Sequence, residues 1–267
     1  ALGVDPGSDL WLACLPLAHV GGLSVVTRAL ITGTPLRLLH RFDPEAVEVE
    51  ASQGATLVAL VPAALARVDV SRFRRVLVGG SAVPADLPTN VVATYGMTET
   101  AGGVVHDGRP LAGVEVREAG GELHVRGPML LRSYRDGTDP RGAGGWFATG
   151  DAGSVDADGT VQVRGRLAEV IVTGGEKVWP APVEDVLGRH PGVAEVGVAG
   201  RPDPEWGQRV VAWVVPADPA SPPDLGELRT WAKQWLPAYA APRQLVVVEH
   251  LARTALGKLR RDLLGRG

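Results

Sequence analysis

RVLVGGSAVPADLPTNVVATYGMTET, residues 75–100, is the stretch whose reading sets the fold class. Its two apolar runs, 75–78 and 91–94, are β-branched and show no polar alternation, the pattern of strands buried on both faces of a parallel sheet. Upstream, 56–61 repeats the pattern, and 10–15 and 35–39 read as further short strands. Between them, 22–32 reads as a helix. A second helix is expected to open at Asp43-Pro44-Glu45, with Asp as N-cap and Pro at the first helical position. Strands alternating with helices argue a parallel sheet. One link is awkward: residues 79–90 are barely enough for a crossover, and Pro84 and Pro88 make a poor helix. Either a tight irregular crossover joins the strands or residues are missing from the link. The second is the expectation, and 64–73 looks similarly clipped.

Beyond residue 101 the texture changes. Short runs at 122–126, 153–155 and 161–164 alternate with Gly-rich turns such as Asp158-Gly159, which reads as antiparallel β. From Arg166 a separate small module fits. Strands are expected at 170–173, 193–199, 209–216 and 245–248, and helices at 182–190, 225–236 and 258–264. The expected fold class is α/β: a partial parallel-sheet region to about 101 and a β-rich subdomain over 102–165. A small mobile α+β domain over 166–267 follows.

The 267 residues are 45% hydrophobic and 21% charged, enough apolar content for a sizeable core. With a net charge of −3 and no basic stripe, nucleic acid is not an expected partner. The single Cys14 rules out an internal disulfide and lies in an apolar run, so it is read as core rather than nucleophile. No apolar run approaches the ~20 residues of a membrane span, no signal peptide is visible, and a cytoplasmic location is expected. No Cys/His spacing suggests zinc. The chain opens at Ala1 rather than Met, so further sequence upstream is expected.

Five segments carry chemistry. Tyr95-Gly96-Met97-Thr98-Glu99-Thr100 follows a strand, where open α/β sheets bind ligands. Tyr95 offers a flat face for a base, Thr98 a hydroxyl for a phosphate oxygen, and Glu99 a hard oxygen ligand for Mg²⁺. The alternative is a surface loop with an N-cap Thr. In GWFATGD, residues 145–151, Asp151 after a Gly turn can accept both hydroxyls of a ribose, though such turns are common. Arg166, then Gly174-Gly175, could reach a ribose or phosphate and let backbone approach a narrow ligand. Read alone, the glycine pair is a strand-to-helix turn. RTALGK, residues 253–258, places Lys258 on a Gly-preceded loop, able to bring positive charge to a carboxylate and a phosphate. Read alone it is a solvated lysine. In LPLAHVGG, residues 15–22, His19 could line an acid pocket or cap the following helix.

In this order the five segments resemble the adenylate-forming superfamily of acyl-CoA ligases, peptide adenylation domains and luciferases. The resemblance spans nearly the whole chain. It implies that Gly79-Gly80-Ser81, Tyr95 and Gly96 border adenine, Thr98 the α-phosphate and Glu99 Mg²⁺. Asp151 and Arg166 would hold the ribose, Lys258 would be the adenylation lysine, Ala168 the hinge, and Gly174-Gly175 the wall of the coenzyme A tunnel. ATP, Mg²⁺, coenzyme A and a small carboxylic acid would be the partners, with room for a homo-oligomer. LPLAHVGG, residues 15–22, and GGVVHDGRPL, residues 102–111, further resemble the o-succinylbenzoate–CoA ligases. There His19, Gly21, Gly22, Gly102 and Gly103 would shape an aromatic-acid pocket. The sequence departs from the pattern in three ways. The family's upstream Gly/Ser/Thr-rich phosphate loop is not in these residues, so this polypeptide alone is expected to adenylate poorly. Ala168 stands where Asp or Lys is usual, and Ala252 where Pro is usual. A ligase for another aromatic or medium-chain acid, a carrier-protein adenylation domain, or a nucleotide-binding homologue without activity are the alternatives.

Overall fold

The computed structural model describes residues 2–84, 86–254 and 257–265. The chain forms two compact units, Ala1–Thr149 with Gly153–Val163, and Gly150–Ala152 with Arg164–Gly267.

The first unit opens with β1 (Trp11–Ala13), α1 (Val20–Thr32), β2 (Leu36–Leu38), α2 (Pro44–Ser52), β3 (Leu57–Leu60), α3 (Pro62–Leu65) and β4 (Arg75–Val78). Then come β5 (Val91–Met97), β6 (Gly102–His106) and β7 (Arg109–Pro110). They form one sheet in the order β2-β1-β3-β4-β5-β6-β7, parallel from β2 to β5 and antiparallel thereafter. Alternate strand residues face opposite layers. Trp11, Ala13, Leu57, Ala59 and Leu77 pack on Val25 and Ala29 of α1. Leu12, Cys14, Val58, Leu60, Val76 and Val78 pack on Val47 and Ala51 of α2. Burial on both faces is why these strands read as unbroken apolar runs. Asp43 caps α2 as expected, its side chain accepting from the Ala46 amide at 3.1 Å. Burial pushes the Cys14 thiol up to about 12, which makes it a core residue and not a nucleophile.

In residues 75–100 the structure shows how the short link is made and corrects where the second strand ends. β4 and β5 pair in parallel, Val76 to Val91 through Val78 to Ala93, with no helix among the described residues between them. The link is an irregular crossover whose Val83 and Leu87 pack on the α2-side core, and Asn90 ties it down through the Val70 and Phe73 carbonyls at 2.8 and 2.9 Å. The strand also runs past Thr94: Tyr95 to Met97 continue β5 by pairing antiparallel with β6. The loop proper begins only at Thr98. Gly96 is fixed by close approach, because a Cβ there would strike the Gly102 carbonyl.

β8 (Glu115–Ala119), β9 (Glu122–Arg126), β10 (Phe147–Val155) and β11 (Val161–Arg166) make a second sheet in the order β11-β10-β9-β8. β8, polar and exposed along most of its length, gave no apolar signal.

The second unit carries β12 (Ile171–Thr173), β13 (Glu176–Val178), α4 (Pro180–Gly188), β14 (Val193–Asp203), β15 (Gly207–Pro216), α5 (Leu225–Ala232) and β16 (Gln244–Val247). The sheet order is β13-β12-β15-β14, with β16 parallel to β15. One face packs on α4 and α5 through Leu187 and Leu228. The other is covered by Leu251, Leu259 and Leu264. α5 ends at Ala232, short of the expected 236. The expected terminal helix over 258–264 is not formed. Leu259 bridges Arg253 in extended backbone, and only a single 3₁₀ turn follows at Arg261–Leu263.

Candidate functional site

In the first unit the candidate residues gather at the carboxyl ends of β4 and β5. Gly79, Gly80 and Ser81 leave β4 just beyond the Val78–Ala93 rung, and Thr94 crosses that rung by donating its hydroxyl to the Val78 carbonyl at 3.1 Å. Tyr95 sits within β5 opposite Val105, partly buried against the cluster that includes Val104 and Leu123. Thr98–Thr100 then form one 3₁₀ turn. Thr100 is buried and rigidifies it: its hydroxyl accepts from the Met97 amide at 2.9 Å and donates to the Gly102 carbonyl at 2.7 Å. Thr98 is exposed at the head of this turn, and Glu99 is half-buried beside it.

Glu99 has a partner that sequence reasoning missed. Tyr134 donates its hydroxyl to Glu99 Oε1 at 3.1 Å, and the Leu131 amide donates to the Glu99 carbonyl at 2.9 Å. Burial and the Glu99 carboxylate raise the Tyr134 phenol above its ordinary value. A single carboxylate on a rigid turn suits Mg²⁺, which keeps several waters and needs only one or two protein carboxylates beside substrate phosphates. Among the described residues no cluster of three or more His, Cys, Asp or Glu forms a complete metal cage.

Of the glycines expected to shape an acid pocket, Gly102 at the start of β6 lies against α1, Gly103 lies against Thr94 and His106, and Gly21 and Gly22 lie against Leu15 and Pro16. His19 occupies the N-cap position of α1 but its side chain makes no capping hydrogen bond, so the capping alternative is not realised. Gly21 and Gly22 open the helix. A Cβ at Gly102 would lie 3.4 Å from Ser24 Cβ and 3.9 Å from Arg28 Nη2, and one at Gly103 would lie 3.6 Å from His106 Nε2. Arg28 donates to Ser24 Oγ at 3.0 Å. Among the described residues no carboxylate lies within ion-pair distance of Arg28, and burial lowers its pKa. His106 Nε2 is buried without a hydrogen-bond partner. Its pKa falls through burial first and through the Arg28 charge second. An uncompensated cation beside an orphaned imidazole is costly unless something anionic joins it. The sequence held a signal for this: Arg28 is the lone charged residue in VGGLSVVTRALIT, residues 20–32.

In the second unit Asp151 and Arg166 stand together, Arg166 Nε to Asp151 Oδ1 at 3.0 Å, with Asp151 buried and Arg166 half-exposed. Ala168 is exposed in the 3₁₀ turn Leu167–Glu169 that joins β11 to β12. Gly174-Gly175 is a strand-to-strand turn between β12 and β13, not the strand-to-helix turn expected. Both residues take positive φ, 59° and 83°, as a two-residue hairpin turn requires. Trp206 lies over this turn. Its carbonyl accepts from the Gly174 amide at 2.9 Å, and a Cβ at Gly174 would approach the indole to 2.7 Å.

Lys258 is exposed at the end of the RTALGK segment, of which Ala255 and Leu256 lie outside the described residues. Thr254 N donates to the Lys258 carbonyl at 2.8 Å and the Lys258 amide donates to Thr254 Oγ1 at 3.2 Å. With Ala168, Glu169, Gln208 and Arg261, Lys258 lines a cavity of about 530 Å³.

The chain is similar to known proteins over nearly its whole length. Residues 2–135 match the AMP-binding enzyme family, and residues 182–258 the AMP-binding enzyme C-terminal domain. A probable 2-succinylbenzoate–CoA ligase of Mycobacterium tuberculosis is 39% identical over 288 residues, covering 98% of this chain and 74% of the relative. That alignment is longer than this 267-residue chain, so the relative has positions with no counterpart here. A 2-succinylbenzoate–CoA ligase of Geobacillus kaustophilus is 35% identical over 97% of this chain and 61% of the relative. The o-succinylbenzoate CoA synthetase of Bacillus subtilis in complex with the acyl-adenylate intermediate OSB-AMP superposes with a TM-score of 0.87. It is 32% identical and covers 99% of this chain and 62% of that one. The same synthetase has been solved with ATP and a magnesium ion (TM-score 0.86, 32% identity, 98% and 62% coverage). The chain thus spans between three fifths and three quarters of the length of these relatives.

Proposed function

The chain belongs to the AMP-binding enzyme family, and from that membership we propose that it works in an ATP-dependent, AMP-forming acid–CoA ligase whose acid is 2-succinylbenzoate. The reaction has two steps. The acid's carboxylate attacks the α-phosphorus of ATP in line, forming an acyl-adenylate and releasing pyrophosphate. The thiol of coenzyme A then attacks the acyl carbon of that mixed anhydride, forming the thioester and releasing AMP. Neither step needs a protein nucleophile, so positioning and charge stabilisation do the work.

Gly79-Gly80-Ser81, Tyr95 and Gly96 border the adenine in this reading, Asp151 and Arg166 take the ribose, and Thr98 donates to the α-phosphate. Glu99 holds Mg²⁺, which when bound offsets phosphate charge. Lys258 supplies the cation for the charge that builds between carboxylate and α-phosphate. Ala168 is the hinge, and Gly174-Gly175 lets the pantetheine arm pass. His19, Gly21, Gly22, Gly102 and Gly103 shape the acid pocket.

The observation that carries the choice of acid is Arg28 beside Gly102, with no carboxylate partner among the described residues and with His106 Nε2 orphaned nearby. 2-Succinylbenzoate has two carboxylates. One reacts, and the other needs a cation in an otherwise apolar pocket; Arg28 is placed to supply it. The test is acid-dependent coenzyme A consumption, measured with the full natural polypeptide across a panel. The expected order is 2-succinylbenzoate well above benzoate, indole-3-acetate and octanoate. Equal rates with the monocarboxylates would reject the choice of acid, and no pyrophosphate exchange with any acid would reject the ligase reading.

A further inference from the structure

Lys258 is exposed, and the described residues on both sides of it are anchored. On the leading flank Arg253 donates through Nε and Nη2 to Glu195 Oε2 on β14, at 3.0 and 2.6 Å. Its third nitrogen, Nη1, reaches back to the Gly257 carbonyl at 2.8 Å, the peptide immediately before Lys258. Arg253 and Leu259 form an antiparallel bridge, and the Arg260 amide donates to the Ala252 carbonyl at 2.8 Å. On the trailing flank Leu259 and Leu264 pack on the sheet face with Trp213 and Leu251. Arg261 donates to Glu184 Oε2 of α4 at 2.5 Å and to Glu169 Oε2 at 2.9 Å, one residue after Ala168. Glu184 is otherwise occupied by the Val198 amide at 2.8 Å, which makes it a fixed support.

We propose that Arg253 is a positioning residue for Lys258. Its guanidinium ties the peptide bond preceding the lysine to Glu195 on β14, so Lys258 is held in place relative to the sheet of its own unit. The inference rests on the reading of Lys258 as the adenylation lysine. A guanidinium suits the task because its planar fork satisfies a carboxylate and a carbonyl at once; a lysine ammonium is a point charge on a flexible stem. Effective concentration at a reacting centre falls steeply when a catalytic group is allowed to wander. The loss should therefore fall on the half-reaction that uses Lys258 and spare the other.

The experiment compares Arg253→Ala, Arg253→Lys, Glu195→Gln and Lys258→Ala in the full natural polypeptide. Pyrophosphate exchange reads adenylation, and thioester formation from supplied acyl-adenylate reads the second step. Amide hydrogen exchange at Thr254, Gly257 and Lys258 reads the turn itself, independently of turnover. Arg253→Ala is expected to lower pyrophosphate exchange at least tenfold and leave thioester formation within twofold. It should also speed exchange of the three amides at least tenfold with the remaining unit unchanged. Arg253→Lys should recover part of each. If Arg253→Ala does not fold, the nearly isosteric Glu195→Gln carries the same expectation at smaller amplitude. Unchanged amide protection, or equal loss of both half-reactions, would overturn the proposal. If Lys258→Ala abolishes pyrophosphate exchange while Arg253→Ala keeps it, the lysine's role survives and the clamp does not. If Lys258→Ala itself keeps exchange, the reading of the lysine falls first and the positioning role with it.

Discussion

The two units solve the problem of placing a charged group in opposite ways. In the first, the candidate groups sit where a sheet buried on both faces ends, and buried neighbours hold them. Thr100 locks the Thr98–Glu99 turn through buried hydrogen bonds, and Arg28 on α1 is held partly buried by its hydrogen bond to the buried Ser24. In the second, Lys258, Ala168, Gly174 and Gly175 are exposed and stand on turns, held by exposed or half-exposed ion pairs and a single indole. The contrast teaches that a group meant to receive a ligand can be fixed by packing. If Lys258 acts in only one half-reaction, as proposed, it must be held within its own unit yet stay open to solvent. Ion pairs at the surface supply orientation more than stability, since exposed pairs contribute about 0–1 kcal/mol.

The largest expected effect tests the exposed side. Lys258→Ala should lower adenylation by on the order of 10²–10³-fold, the range for losing one preorganised donor at developing charge. Thioester formation from supplied adenylate should hardly change. Equal loss in both steps would erase the functional distinction between the units. Next comes the buried side. Arg28→Met removes a charge and keeps much of the volume. It should lower kcat/KM for 2-succinylbenzoate by about 10–100-fold, the worth of a hydrogen bond to a charged group, and leave benzoate unaffected or improved. A uniform loss across acids would mean Arg28 supports the fold and does not read the second carboxylate.

That same contrast decides what could be read from the sequence. The parallel sheet was legible because both its faces are buried, so β3, β4 and the first half of β5 are continuous apolar runs. The second half of β5 was not, since Tyr95-Gly96-Met97 forms a strand only by pairing with β6. The chemistry-bearing segments were legible as local motifs, and the structure brings Asp151 to Arg166 and Gly102 to α1. Partners distant in sequence were invisible: Tyr134 for Glu99, Glu195 for Arg253, Trp206 for Gly174. The terminal helix failed for a physical reason too. Leu259 is drawn into a bridge with Arg253 and, with Leu264, packs on the sheet, and a seven-residue segment is too short to hold a helix on propensity alone against that pairing.

The buried side should also show in stability against pH. Asp9 is buried beneath β1 and accepts from Arg74 Nε and Nη2 at 2.8 and 2.5 Å and from Thr56 Oγ1 at 2.8 Å. Foremost through the Arg74 hydrogen bond, its carboxyl is held down at about 2, from an ordinary 3.8. A depressed carboxylate contributes stability that is fully present above its ordinary value and is lost as pH falls from about 4 towards 2. Asp9→Asn should cost about 2 kcal/mol at neutral pH, seen as a lower denaturant midpoint, and should flatten the acid limb of the stability curve over that window. An unchanged acid limb would show that the sheet base is held by packing alone.

The smallest effect is the sharpest test of the boundary between the two strategies, because Glu99 belongs to both. Its turn is fixed by buried Thr100, yet its carboxylate is oriented by Tyr134, which is exposed. A second partner that donates to one oxygen of a metal-binding carboxylate aims the other and tunes its affinity. Glu99→Gln removes the ligand charge and should raise the Mg²⁺ concentration needed for ATP binding, measured calorimetrically, by at least tenfold. Tyr134→Phe removes only the orienting hydroxyl, worth about 1 kcal/mol, and should raise it by a few-fold in the same direction. Since the phenol is exposed, folding stability should be unaffected. If Tyr134→Phe leaves the Mg²⁺ curve where it was while Glu99→Gln shifts it, the buried turn alone aims the carboxylate, and the first unit relies on packing throughout.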